Sequence, residues 1–244
     1  MSESHEPLFR LFAGLPRKGP GSEASTLRAL RALSDLPPKP RILDLGCGAG
    51  AAAIVLARET GGHVTAVDVH QPFLDELERT AKAAGLAAQV TPRLQSMDAL
   101  EDEPASYDLI WSEGAIYLIG FARGLRLWRP LLRSGGHVCV TEATWLTDDP
   151  PEGARAFWDA GYPDMGTIES NVERARAEGY DTLATFALPR SDWEREFYAP
   201  LRLRMDELRS DPAMADMISE TDREIELYER FGDSYGYVFY VLRA

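Results

Sequence analysis

The segment RILDLGCGAG, residues 41–50, constrains the fold more than any other part of the chain. Its apolar first half is typical of a buried strand, and Gly46, Gly48 and Gly50 follow directly. Alternate glycines permit backbone dihedrals and close approaches that a side chain would prevent. A helical pattern, AAAIVLARET, begins immediately after Gly50. The segment therefore predicts a strand, a tight turn and a helix, with space for a ligand against the turn.

The same alternation of apolar runs and longer amphipathic segments continues to Trp145, which is typical of parallel strands joined by crossover helices. Further strands are expected at HVTAVDV, AAQVTPR, YDLIWSE and GHVCVTEA, and GFARGLRLWRPLLRSGG is expected to be helical up to a Gly-Gly turn. Beyond Trp145, prolines and glycines interrupt the pattern until a final apolar strand, YGYVFYVLRA. We expect a single α/β domain over residues 1–244, with a cofactor-binding core at 40–145 and a cap formed by 146–166 and 191–231.

Acidic residues end the second strand and follow the third, at the sheet edge where parallel α/β folds bind ligands. Asp68 is placed to accept hydrogen bonds from ribose hydroxyls. Ser96, Met97 and Asp98 follow the third strand, where Asp98 is expected to accept from an adenine amino group while Met97 lies against the ring. These positions predict an adenosine-containing ligand.

Two other interpretations of the glycine turn stay open. It is compatible with a plain tight connection, and Gly46 to Ala51 also satisfies the G-x-G-x-x-A pattern of nicotinamide dinucleotide sites. Asp44 argues against a dinucleotide, because its negative charge would lie close to the pyrophosphate. The same negative charge favours a cofactor that carries a sulfonium and an ammonium group.

In their order, DLGCGAG, AVDV, SMDAL, DLIWSEGA and LLRSGGHVCVTEA resemble the motifs of class I S-adenosylmethionine-dependent methyltransferases over about residues 40 to 145. The flanking segments FAGLPRKGPGS, WSEGAIYLIGF and YGYVFYVLRA resemble a group of bacterial methyltransferases. The resemblance implies a Rossmann-like, seven-stranded, mostly parallel sheet with helices on both faces, a C-terminal antiparallel strand and a helical cap after the fifth strand. It also implies binding of S-adenosylmethionine; the residues it assigns to the cofactor are Asp44, Gly46, Cys47, Gly48, Gly50, Asp68, Val69, Ser96, Met97, Asp98, Glu113 and Arg17.

The fourth strand end, which contains Glu113, is expected beside the transferred methyl group. Glu113 has three open roles: binding the cofactor ammonium, facing the acceptor, or capping the next turn. Glu113 and Tyr117 are the candidate catalytic residues for a direct, in-line transfer that needs alignment and exclusion of water more than a base. Aromatic residues of the cap either line an acceptor pocket, where with Glu113 and Glu142 they would hold an amine, or simply fill a core.

Before the first strand, Phe9, Phe12 and the segment PRKGPGS suggest a lid over residues 1–21, in which Arg17 offers a partner for the cofactor carboxylate; a plain linker is the alternative. His70 follows the second strand near the predicted ribose site, and an exposed position at a helix start explains it equally well.

The formal net charge of -13 disfavours nucleic acid partners and favours a small-molecule acceptor. Neither a secretion signal nor a membrane span is evident, and Cys47 and Cys139 lack partners at metal-ligand spacing. We therefore expect a cytoplasmic protein without a metal or disulfide. A non-catalytic S-adenosylmethionine-binding module is the alternative to an enzyme, and the oligomeric state is left open.

Overall fold

The computed structural model describes residues 6–33 and 35–244, which form one mixed sheet with flanking helices. Strands β1 to β8 span Arg41–Leu45, His63–Asp68, Val90–Leu94, Tyr107–Ser112, Leu132–Trp145, Gly166–Thr167, Asp181–Ala187 and Tyr235–Arg243. Helices α1 to α10 span Glu6–Phe12, Glu23–Arg31, Ala51–Thr60, Gln71–Ala83, Phe121–Trp128, Glu152–Gly161, Ile168–Ala177, Arg190–Trp193, Ala199–Leu208 and Ala215–Phe231.

The main path of the sheet has the order β3-β2-β1-β4-β5-β8-β7. Strands β1 to β5 run parallel to one another, and β8 runs antiparallel to both β5 and β7. The expected Rossmann-like, mostly parallel sheet with an antiparallel C-terminal strand is confirmed. The eighth strand, β6, was not predicted, because a pair of residues beside the end of β5 is too short to show a periodic pattern.

Glycines bound the first crossover helix as the sequence predicts. Gly50 precedes α3 with φ of 80°, and Gly61 ends it with φ of 63°, both in the left-handed region that glycine adopts freely. The expected turn at Gly135 and Gly136 is wrong in its placement. Strand β5 already begins at Leu132, which pairs with Tyr107, and the next pair joins Leu109 and His137, so the two glycines lie within the strand at a shift of register.

Four helices lie in the segments that were expected to form a cap. Helix α6 follows β5, and α8 to α10 connect β7 to β8 through a π-helical turn at Glu194–Tyr198. Helix α6 contacts α10, and the N-terminal α1 contacts α9. Phe12 of α1 also meets Phe197, in the π-helical turn before α9, at 5.8 Å between ring centroids. Within the described ranges, no helix is long and apolar enough to cross a membrane.

Candidate active site

The turn after β1 is held by hydrogen bonds that occupy its own amide groups. The N–H groups of Gly46 and Cys47 donate to the Val67 carbonyl at 2.9 and 3.0 Å. The N–H of Gly48 donates to Asp68 Oδ2 at 2.8 Å. Gly46 has φ of 69°, and a Cβ there would lie 2.3 Å from the Ala115 Cβ. The turn therefore requires glycine at this position and brings the ends of β1, β2 and β4 together.

A cavity of about 530 Å³ lies over this turn, at the carboxyl ends of β1 to β4. Its size is in the range of small-molecule sites. Most predicted site residues line it: Arg17, Asp44, Gly46, Cys47, Gly48, Asp68, Val69, Ser96, Met97, Glu113 and Tyr117. Gly50 and Asp98 do not.

Gly50 and Asp98 have other partners. A Cβ on Gly50 would lie 2.1 Å from Leu77 Cδ1, so this glycine allows α3 to pack on α4. Asp98 accepts a hydrogen bond from Ser96 Oγ at 2.6 Å and pairs with Arg123 at 3.1 Å. The structure brings Ser96 and Met97 to the cavity but turns the Asp98 carboxylate toward a neighbouring arginine.

Asp44 is a buried acid whose charge is not balanced by a direct partner. Its side chain is 1% exposed, and Oδ2 has no hydrogen-bond partner among the described residues. Burial raises the pKa of Asp44 well above its usual value, and the charges of Glu113 and Asp68 raise it further, against the opposing effect of Arg17. The unpartnered Oδ2 is available to accept a hydrogen bond from a cationic ligand.

Glu113 is occupied by protein donors. Its Oε2 accepts from Arg17 Nη1 at 2.9 Å, and its Oε1 accepts from Thr26 Oγ1 at 2.7 Å and Trp111 Nε1 at 2.9 Å. Arg17 also donates to Thr26 through Nη2 at 3.2 Å. Glu113 thus ties the N-terminal segment and α2 to the end of β4. Sequence reasoning missed Thr26 and Trp111, since no local pattern marks a partner on another element.

The described part of the N-terminal segment covers the cavity; residues 1–5 of the expected lid lie outside the described residues. Phe9 stacks on His70 with ring centroids 3.9 Å apart and 8° between the planes. Lys18 Nζ pairs with Glu76 at 2.9 Å and lies 4.8 Å from the centroid of the Phe73 ring. His70 caps the start of α4, as expected, but the expectation that it is exposed is wrong: it is 8% exposed, because Phe9 covers it from a distant part of the chain.

The cavity also contains a thiol. Burial raises the pKa of Cys47 well above its usual value, and the nearby charges of Asp44 and Asp68 act in the same direction. The protonated thiol is a poor nucleophile. The raised pKa argues against a covalent role for this thiol, whose Sγ donates to the Gly48 carbonyl at 3.5 Å.

Residues 42–136 match the family model of a methyltransferase domain. Dimethylglycine N-methyltransferase of Parasynechococcus marenigrum is 35% identical over 119 residues, which cover 48% of this chain and 42% of that protein. This chain accordingly spans less than half the length of that curated relative.

Two crystal structures are similar along nearly their whole length. An S-adenosylmethionine-dependent methyltransferase from Thiobacillus denitrificans, in complex with S-adenosyl-L-homocysteine, is 24% identical with a TM-score of 0.81, covering 100% of this chain and 99% of that chain. YjhP from E. coli is 22% identical with a TM-score of 0.85, covering 98% and 99%. These likenesses establish the fold. With the family model, they confirm the resemblance to class I methyltransferases carried by the sequence motifs.

Proposed function

We propose that this chain, which has the class I methyltransferase fold and carries a methyltransferase domain at residues 42–136, transfers a methyl group from S-adenosylmethionine to a nucleophilic atom of a small molecule. The observation that carries the proposal is the set of three carboxylates, Asp44, Asp68 and Glu113, around one cavity. Their placement suits a ligand with a cationic amino acid end and a ribose.

The residues present fit S-adenosylmethionine. Asp44 accepts from the ammonium group through its unpartnered Oδ2, and Arg17 supplies guanidinium donors for the carboxylate. Asp68 accepts hydrogen bonds from the ribose hydroxyls. These hydroxyls compete with the backbone N–H groups of Gly48 and His70, which donate to Asp68 in the structure. Ser96, Met97 and Val69 surround the adenine. Asp98 acts indirectly by holding Ser96, in place of the direct contact that the sequence predicts.

A nicotinamide dinucleotide fits less well. Dinucleotide sites bind pyrophosphate through the amide groups of the glycine turn. Here the amides of Gly46 and Cys47 are bonded to Val67, and that of Gly48 is bonded to Asp68. Adding a polyanion beside three carboxylates would also be electrostatically unfavourable.

The sulfonium donor supplies an electrophilic methyl group, so this chain has mainly to align the acceptor and to exclude water. Gly114 and Tyr117, at the end of β4, line the cavity where the acceptor enters. Glu113 is a positioning residue, because its oxygens already bind Arg17, Thr26 and Trp111. Direct displacement requires no covalent enzyme intermediate. The role of Tyr117 in this reaction is to contact the acceptor.

The chain works as one domain with a movable N-terminal lid. Ion pairs from Arg17 to Glu113 and from Lys18 to Glu76 hold this segment across the cavity. Breaking these two ion pairs opens the segment and gives ligands access to the cavity. The cap formed by residues 146–166 and 191–231 encloses the acceptor, and with the net charge of -13 this favours a small molecule over nucleic acid. Unpaired Cys47 and Cys139 suit a reducing bacterial cytoplasm.

The test has two stages. Titration calorimetry compares S-adenosylmethionine, S-adenosylhomocysteine and NAD, and tight binding of NAD alone would refute the proposal. Methyl-radiolabelled S-adenosylmethionine is then supplied with protein-free metabolite extract, with purified RNA, and with denatured cell protein. We expect label in the metabolite pool. Cofactor binding without transfer to any pool would identify a non-catalytic binding module, and label only in RNA or protein would refute a small-molecule acceptor.

A further inference from the structure

One buried carboxylate of the cap bonds to the N-terminal part of the chain and lies outside the cavity. Asp192, on α8, is 2% exposed and does not line the cavity. Its Oδ2 accepts a hydrogen bond from Ser25 Oγ at 2.5 Å, and its backbone carbonyl accepts from the Gly21 N–H at 3.3 Å. A carboxylate is costly to bury, so its place in the interior calls for a reason beyond packing.

The bond to Gly21 holds the chain beside the ion pair between Arg17 and Glu113. A Cβ on Gly21 would lie 2.9 Å from Arg17 Nη1 and 3.2 Å from Glu113 Oε2. The backbone therefore passes directly beside the guanidinium group, with no side chain between them. A displacement of the chain at Gly21 would move the arginine that lines the cavity.

The bond to Ser25 fixes the first turn of α2. Ser22 caps this helix, and its Oγ accepts from the Ser25 N–H at 3.1 Å. The next residue, Thr26, donates to Glu113 Oε1 at 2.7 Å and accepts from Arg17 Nη2 at 3.2 Å. Adjacent residues of one helical turn thus bind the cap on one side and the ion pair on the other.

The cap also contacts the other end of the N-terminal lid. Phe12 of α1 meets Phe197, in the π-helical turn that follows α8, at 5.8 Å between ring centroids. Arg204 Nη2, on α9, donates to the Arg10 carbonyl at 3.2 Å. The cap therefore holds the chain both before and after Arg17, and the position of the cap affects the position of this arginine.

We infer that Asp192 is a positioning residue of the cofactor site, which fixes Gly21 and α2 so that Arg17 is held where it binds the cofactor carboxylate. This inference rests on the proposed function, in which Arg17 makes that contact. Asp192 touches neither the cofactor nor the acceptor and acts through Arg17. An arginine that is already ordered loses less conformational entropy when the ligand binds, so its positioning raises cofactor affinity.

The first test compares two ligands by titration calorimetry. S-adenosylhomocysteine carries the amino acid end that Arg17 binds, whereas 5′-methylthioadenosine has the adenosine and the sulfur but lacks that end. Asp192→Ala should weaken S-adenosylhomocysteine binding by about tenfold, the size expected for one hydrogen bond to a charged group, and leave 5′-methylthioadenosine binding unchanged. Equal weakening of both ligands would show a merely structural role and overturn the inference.

The conservative variant Asp192→Asn keeps an oxygen that accepts from Ser25 Oγ. It should therefore restore most of the S-adenosylhomocysteine affinity that Asp192→Ala loses. An asparagine variant as weak as the alanine variant would show that this hydrogen bond does not position Arg17, and would overturn the inference.

A double-mutant cycle with Arg17→Ala tests the route of the effect. If Asp192 acts through Arg17, Asp192→Ala causes no further loss of S-adenosylhomocysteine affinity once Arg17 is alanine, whereas additive losses would refute the inference. Glu224→Ala is the control within the cap. The carboxyl group of Glu224 accepts from the Tyr198 hydroxyl at 3.0 Å, with no bond to α2, so its loss should leave both ligand affinities unchanged.

S-adenosylhomocysteine binding to the wild-type protein is measured first, and its absence would refute the proposed function itself. If the wild-type protein binds this ligand and Asp192→Ala binds it equally tightly, the inference fails while the proposed function stands. Should Asp192→Ala not fold, Ser25→Ala removes the same hydrogen bond from the other side. Ser25→Ala should show the same selective loss of S-adenosylhomocysteine affinity, and unchanged affinity would refute the inference.

Discussion

Replacing Asp44 with asparagine is expected to weaken cofactor binding without destabilising the protein. The wild-type carboxylate is 1% exposed, and its Oδ2 accepts no hydrogen bond from any described residue. In the free protein its charge is therefore unfavourable, and asparagine relieves it. In the complex the same charge binds the ammonium of the ligand, and asparagine loses that contact.

The size of the effect follows from the single unpartnered oxygen. One hydrogen bond between charged groups contributes about 1.5 to 3 kcal/mol, which corresponds to roughly 10- to 150-fold in the dissociation constant. Titration calorimetry with S-adenosylhomocysteine measures this loss. Thermal melting of the free protein should show an unchanged or higher midpoint, because the buried charge is gone.

Asp108 provides the matched control. It is also buried, at 7% exposed, but it lies at the opposite end of the sheet, where it accepts from the Arg41 amide at 2.8 Å and pairs with Arg133 at 2.7 Å. Asp108→Asn should lower the melting midpoint and leave ligand affinity unchanged. An Asp44→Asn variant with wild-type affinity, or with a larger loss of stability than Asp108→Asn, would refute this account of the site.

Three further predictions concern the turn, the lid and the buried side chain of Glu142. Gly46→Ala should reduce cofactor affinity, since its Cβ would lie 2.3 Å from that of Ala115. Gly50→Ala should chiefly lower the melting midpoint, since its Cβ would lie 2.1 Å from Leu77. Calorimetry and thermal melting of both variants check this contrast, and equal behaviour would contradict it. Arg17→Ala should speed hydrogen exchange in residues 6–21 and weaken cofactor binding, because it breaks the contact with Glu113. Unchanged hydrogen exchange would show that this segment is a plain linker. Burial raises the pKa of Glu142 from 4.5 to about 8, so between these pH values the group is ionised only in the unfolded state, and stability falls as pH rises. Glu142→Gln should flatten this decline in the melting midpoint, and identical slopes would show that this group does not cause it.

The cofactor-facing edge of the sheet could be predicted because its determinants are local. A turn that needs glycine at Gly46 follows from dihedral and steric limits within a few residues. The carboxyl ends of parallel strands meet at one edge, so Asp44, Asp68 and Glu113 could be expected around one cavity before any distance was known. The last strand was likewise predicted from its apolar pattern, whereas its antiparallel direction was implied by the family resemblance.

The partners of those side chains depend on contacts between distant segments, which no sequence period records. Glu113 binds Arg17 and Thr26 because α2 and the N-terminal segment fold over the end of β4. Gly50 and Asp98 lie in the right motifs, yet packing against α4 and pairing with Arg123 take them out of the cavity.

The same distinction applies within the cap. The sequence contains Glu224 without indicating that the hydroxyl of Tyr198, on another element, donates a hydrogen bond to it. Local backbone chemistry and parallel topology determine where the cofactor site lies. Only tertiary packing decides which charges are left without a partner, since that depends on every element that closes over them.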